Sequence, residues 1–181
     1  FVAAIGDLDG DGKPDLAIAS LSDNTVSVLH NIDLPVIANS GTISAMNTTY
    51  GTASASQSFT VSGTNMQTGI LVTPPAGFEV STDNSTFSST VTAGSSGTIS
   101  STTVYVRIAA NTTVGTYSGD IVLSSTNATS VNVAIPNSAV TAKELTVTGI
   151  SISNKVYDGN TTATITGTAA LSGIVGSDAV T

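Results

Sequence analysis

Apolar and polar positions alternate along this chain in short runs, and clusters of Gly, Pro, Asn and Ser separate the runs. The clearest run is Thr103-Val104-Tyr105-Val106-Arg107-Ile108. Val104, Val106 and Ile108 fall on one face and Tyr105 and Arg107 on the other, the period of two expected of a half-buried strand. Similar runs are Ser58-Phe59-Thr60-Val61, Ile70-Leu71-Val72, Phe78-Glu79-Val80, Ile121-Val122-Leu123 and Val131-Asn132-Val133-Ala134-Ile135. Turns are expected between them at Ser62-Gly63-Thr64-Asn65, Thr73-Pro74-Pro75-Ala76-Gly77, Gly94-Ser95-Ser96-Gly97 and Ser124-Ser125-Thr126-Asn127. About seven or more short strands at regular spacing predict an antiparallel β-sandwich over residues 35–142.

The flanks differ in texture. In residues 1–33, Val2-Ala3-Ala4-Ile5, Leu16-Ala17-Ile18-Ala19 and Thr25-Val26-Ser27-Val28-Leu29 read as three strands. An acidic loop joins the first two, and Ser22-Asp23-Asn24 forms a turn before the third. Gly10, Gly12 and Pro14 argue against a helix there. Pro35 marks the first boundary, and Lys143-Glu144 is expected to act as a hinge. Residues 145–181 resume a β pattern with Leu145-Thr146-Val147, Ile150-Ser151-Ile152 and Lys155-Val156-Tyr157-Asp158-Gly159. That stretch is too short for an ordinary independent sandwich core and is expected to be incomplete. With Phe1 at its start and a strand pattern running to Thr181, the chain reads as a stretch of a longer protein.

Composition narrows the function classes. Of 181 residues, 9% are charged, 4% are aromatic and 40% are hydrophobic, so the chain is β-rich and not disordered. Net charge is −8, and Lys13, Arg107, Lys143 and Lys155 are the only fixed cations, too few and too scattered for a basic patch. No nucleic-acid partner is expected. The chain has no Cys, which excludes disulfides, thiol catalysis and Cys-ligated zinc. No apolar run approaches the roughly 18 residues a membrane helix needs, so no membrane insertion is expected.

The chemistry concentrates in Asp7-Leu8-Asp9-Gly10-Asp11-Gly12-Lys13-Pro14-Asp15. Counted from Asp7, carboxylates stand at positions 1, 3, 5 and 9 and a Gly at position 6. Charges that close repel one another unless a cation sits among them, and hard oxygen ligands at this spacing suit calcium. Gly12 permits a sharp turn, and Lys13 has a carbonyl oxygen to offer. The spacing matches the start of an EF-hand loop, but position 12 is Ile18 where an EF-hand has Glu, and the flanks are strand-like. A structural site, in which binding adds to folding, is therefore expected over a sensor. Hydrolytic metal chemistry needs a neighbouring nucleophile or base, and no such residue is in view.

The same residues carry a resemblance. Phe1 to Ala19, followed by Asn24-Thr25-Val26-Ser27-Val28-Leu29, resembles an FG-GAP/VCBS repeat, a blade of β-propellers. The resemblance implies Asp7, Asp9, Asp11 and Asp15 as side-chain ligands of Ca2+ and Lys13 as the carbonyl ligand. The middle segment resembles an Ig-like domain of exported Bacteroidetes proteins through Gln57-Ser58-Phe59-Thr60-Val61, Pro75-Ala76-Gly77-Phe78-Glu79-Val80, Val104-Tyr105-Val106-Arg107 and Gly115-Thr116-Tyr117-Ser118-Gly119. The Cys–Trp–Cys core of antibody domains is missing, which leaves aliphatic packing to hold the sandwich. Lys155-Val156-Tyr157-Asp158-Gly159-Asn160-Thr161-Thr162-Ala163 resembles the opening of a YDG domain. The expected fold is therefore all-β: an Ig-like β-sandwich flanked by one propeller-type blade with a calcium loop and by an incomplete β-domain.

Other chemistry-bearing residues read more plainly as structural. His30, the only His, is expected to be a strand-end surface residue. Asp158-Gly159 is expected to be a turn, and nothing in the sequence brings Glu79 and Asp120 together as a catalytic pair. Tyr50, Tyr105, Tyr117 and Tyr157 are more ordinarily strand packing than a sugar platform. The expectation is a non-enzymatic, extracellular or cell-surface stretch of a modular bacterial adhesin or filament, in contact with neighbouring modules and with a surface protein or glycan. The alternatives are accessory modules of a secreted enzyme and a carbohydrate-binding module.

Overall fold

A computed structural model of the chain describes residues 2–180, and every regular element in it is a strand. The protein is all-β, as the alternation of short apolar runs requires. β1 (Val2–Gly6), β2 (Asp15–Ser20) and β3 (Thr25–Leu29) form an antiparallel three-stranded sheet in that order. These are the three strands expected of the N-terminal segment. Asn24, in the turn between β2 and β3, adopts φ 51°, a left-handed position that Asn tolerates better than most residues. β1 and β3 are exposed at nearly every position, and Val2, Ile5, Val26, Val28 and Leu29 face solvent.

Residues 36–141 build two sheets around one apolar core. β4 (Val36–Ser40), β6 (Gln57–Met66), β8 (Phe78–Ser81) and β10 (Gly97–Ile108) form the first sheet, in the order β4-β6-β10-β8. β5 (Asn47–Thr49), β7 (Ile70–Thr73), β9 (Val91–Ala93), β11 (Gly115–Ser124) and β12 (Val131–Thr141) form the second, in the order β5-β12-β11-β7-β9. From β4 to β11, successive strands alternate between the sheets. Within the sandwich, only β11 and β12 are both consecutive and paired. All pairings are antiparallel except β5 with β12. The N-terminal end of β4 lies beside the start of β12, where Leu34, Pro35, Val36 and Ile37 share a surface hollow with Thr129 and Val131.

Alternation decides which side chains enter the core. Val104, Val106 and Ile108 of β10 are fully buried, and so are Ile70, Val72, Val80, Ile121 and Leu123. Phe59, Phe78 and Met66 fill the remaining space in the same cluster. The packing is mainly aliphatic, with no Cys or Trp in the chain to contribute. Among the described residues, no buried side-chain nitrogen or oxygen lacks a hydrogen-bond partner. One expected turn is corrected: Ser62-Gly63-Thr64-Asn65 lies inside β6. The register against β10 slips between the Ile99↔Gly63 and Gly97↔Met66 pairs, and Asn65 takes φ 55°. The Gly-Asn signal there marks a β-bulge. The lack of a Cβ at Gly63 leaves room for Met66, whose Cγ and Sδ would stand 2.7 Å from one.

After β12, β13 (Thr146–Ile152) and β14 (Ile165–Ser172) pair as an antiparallel hairpin. Lys155-Val156-Tyr157-Asp158-Gly159 belongs to the connection, residues 153–164, and not to a strand. Asp158 turns the chain there by accepting the Asn160 N–H at 2.9 Å, and Lys155 pairs with it at 2.8 Å.

Candidate metal site

The acidic loop connects β1 to β2, and its side chains organise its own backbone. Asp7 Oδ1 accepts the Gly10 N–H at 2.7 Å and its Oδ2 accepts the Gly12 N–H at 2.9 Å. Asp9 Oδ1 accepts the Asp11 N–H at 3.1 Å, and Asp11 Oδ1 accepts the Lys13 N–H at 2.8 Å. Gly10 and Gly12 stand at φ +84° and +85°, a region other L-residues avoid. The loop thus coils inward because each carboxylate captures an amide a few residues ahead, as short acidic side chains do in turns.

That coil brings carboxylate oxygens of Asp7, Asp9 and Asp11 within 4.8 Å of one another. All three residues are exposed. Each oxygen that accepts one N–H keeps a further lone pair free. Hard oxygen donors at this spacing fit a calcium ion, and the mutual repulsion of the three charges favours one. Lys13 brings its ammonium to two carboxylates. It lies 2.7 Å from Asp33 and 3.6 Å from Asp11, and the bond to Asp33 holds its amine above the usual lysine range.

Asp15 meets this trio through Asp9 alone. It is the first residue of β2 and is buried, with a relative exposure of 1%. Its Oδ1 accepts the Asn31 N–H at 2.8 Å and its Oδ2 accepts the Leu8 N–H at 2.9 Å. The Asn31 amide, then that of Leu8, hold its carboxyl below the usual carboxylate range against the opposing effect of burial; His30 adds to the lowering. Asp15 therefore ties the start of the loop to the segment after β3. Its metal-type neighbours are Asp9 and His30, whose ligand atoms lie with its own within 4.8 Å of one another.

His30 is the site residue that composition and motif left out. It follows β3, as expected of a strand-end His, but its Nδ1 stands 3.2 Å from Asp9 Oδ2 and 3.5 Å from Asp15 Oδ2. The signal was present in the hairpin register: Leu16 pairs with Leu29 across β2 and β3, so the next step sets residue 30 beside Asp15.

The remaining candidates do not converge. Glu79, on β8, pairs with Arg107 at 2.6 Å, and Arg107 also covers the Phe87 ring. Asp120, on β11 in the other sheet, accepts from Asn132 Nδ2 at 3.0 Å. Tyr105 and Tyr117 lie on different sheets, and Tyr157 projects from the 153–164 connection with 92% exposure. No helix among the described residues is long and apolar enough to cross a membrane.

Comparison with known families adds to this geometry at both ends of the chain. Comparison with curated proteins finds no match. The model of the FG-GAP repeat matches residues 2–29, which are β1, the Asp loop, β2 and β3. The model of the YDG domain matches residues 141–181, beginning at the last residue of β12. Both matches point to a modular extracellular or adhesive protein. The chain thus carries an FG-GAP repeat at one end and a YDG domain at the other.

Proposed function

We propose that this chain is a non-catalytic structural and adhesive stretch of a bacterial extracellular protein, an adhesin or surface filament, with a structural calcium site in its first repeat. The observation that carries the calcium reading is the convergence of Asp7, Asp9 and Asp11. In this reading those three carboxylates hold the ion and Lys13 lends its carbonyl oxygen. Asp15 braces the loop from the side through Leu8 and Asn31. The ion's contribution is rigidity, since it cancels repulsion between groups the fold has already gathered. The non-enzymatic reading rests on the carboxylates outside the loop. Glu79 and Asp120 are each engaged with a neighbour on separate sheets. The partners in this reading are neighbouring modules, which the exposed apolar side chains of β1 and β3 suit.

Calorimetric titration of the whole chain with calcium tests the site. The expected result is one binding event at millimolar calcium or below, with amide signals of residues 7–15 shifting. A flat titration on a sample whose β1–β3 amides are dispersed would refute it.

A further inference from the structure

The junction between the sandwich and the C-terminal hairpin holds contacts that neither unit needs for its own pairing. β12 ends at Thr141 and β13 begins at Thr146, so residues 142–145 form the covalent tie. Two units joined only by such a tie reorient freely. Here the chain that follows β14 returns to the sandwich. Val175 lies over Gly51: a Cβ on Gly51 would stand 2.6 Å from Val175 Cγ2 and 2.9 Å from Cγ1, closer than packed carbons approach. Val175 therefore occupies the volume that any other residue at position 51 would fill. Gly51 also sits at φ +86°, so glycine answers both demands.

A second contact fixes the same turn. The Tyr50 hydroxyl donates to Asp178 Oδ1 at 3.3 Å, and the Asp178 N–H donates to the Val175 carbonyl at 3.2 Å, closing the segment that carries both residues. The receiving turn is tied to the sandwich. The Tyr50 ring packs against the sandwich core, and its N–H donates to Thr141 O at 2.9 Å. The Gly51 N–H donates to Ala110 O at 3.1 Å. Val114 of the sandwich and Leu145, Ile174 and Val180 line an apolar cavity of about 180 Å³ beside these contacts. Gly173 completes the approach, since a Cβ there would stand 2.9 Å from the Glu144 carbonyl oxygen.

We propose that residues 173–180 are a clasp that seats on the Tyr50–Gly51 turn and locks the C-terminal hairpin to the sandwich in one orientation. Residues 142–145 then form a fixed elbow, where the Lys143-Glu144 pair alone suggests a hinge. The clasp is independent of the Asp loop, which belongs to the other end of the chain.

Residual dipolar couplings measured on the whole chain test this. In the unaltered protein, one alignment tensor should fit the amides of β4–β12 and of β13–β14 together. In Val175→Ser, which keeps a small side chain but removes the apolar contact, two tensors should be required, the hairpin's being the smaller. Cross-strand signals between β13 and β14 should persist. Two tensors in the unaltered protein, or one in Val175→Ser, would overturn the clasp. So would loss of the hairpin's cross-strand signals in Val175→Ser, because Val175 would then belong to the hairpin's own fold.

Discussion

Asp83 shows how a single carboxylate sets the pH response of a turn. Its Oδ1 accepts the N–H groups of Ser85 and Thr86, both at 2.8 Å, and the hydroxyl of buried Ser81 at 2.7 Å. The Ser85 amide, then that of Thr86, hold its carboxyl at about 2, below the ordinary aspartate value of 3.8. A group whose folded pKa is depressed stabilises the fold above the unfolded value, and that stability is lost as pH falls through the folded one. Thermal melting of the sandwich should therefore drop between about pH 4 and pH 2, and Asp83→Asn should flatten that part of the profile. An unchanged profile in the variant would count against the turn as the cause. At the Asp loop the residues separate by role. Asp15→Ala frees the Leu8 and Asn31 amides, so β2–β3 amide signals should collapse with or without calcium. Asp9→Asn should weaken calcium binding and leave those signals in place when a chelator is present. Spacing puts Asp7, Asp9, Asp11 and Asp15 in one loop, but it does not show that their oxygens fall into two overlapping groups, Asp7–Asp9–Asp11 and Asp9–Asp15–His30. Spacing cannot say which carboxylate is spent on backbone amides that lie sixteen residues away in sequence, as Asn31 lies from Asp15. Equally, His30 is bland in sequence and becomes a neighbour of Asp9 only once the β2–β3 register is known.

Among the elements, the strands with strong alternation were legible and the polar edges were not. The six runs read from the sequence all fall within β6, β7, β8, β10, β11 and β12. β4, β5 and β9 went unread. Each is at a sheet edge, and β5 and β9 are three residues long. A polar edge strand needs only one neighbour and little apolar surface, so its sequence looks like a turn, whereas β8, also at an edge, buries Phe78 and Val80 and was read. β5 is Asn47-Thr48-Thr49, and Asn47 Oδ1 serves it by accepting the Ala139 N–H at 2.9 Å. The central strands carry the stability instead. Ile108→Ala, at a fully buried position on β10, should cost about 2–5 kcal/mol through lost transfer energy and the cavity left behind. Urea unfolding of the two proteins checks this; a loss near zero would mean the site is not closed.

For the whole molecule, the order of strands governs how the sandwich forms. Because β4 to β11 alternate between the sheets, nearly every pairing joins residues distant in sequence. Such folds must close long loops before contacts reward them, and they fold in about milliseconds to seconds. Calcium should not alter that rate, since the Asp loop lies outside the residues of the sandwich core. Stopped-flow refolding with calcium and with a chelator should give the same main phase. The path of the chain has a mechanical consequence as well. It enters the sandwich at β4, whose first residues lie beside the start of β12, and it leaves at the far end of β12. Entrance and exit are therefore separated by one strand of 11 residues, about 35 Å at the usual rise. Tension applied along the chain runs parallel to β12 and meets its hydrogen bonds to β11 and β5 in shear, where they yield together and not one by one.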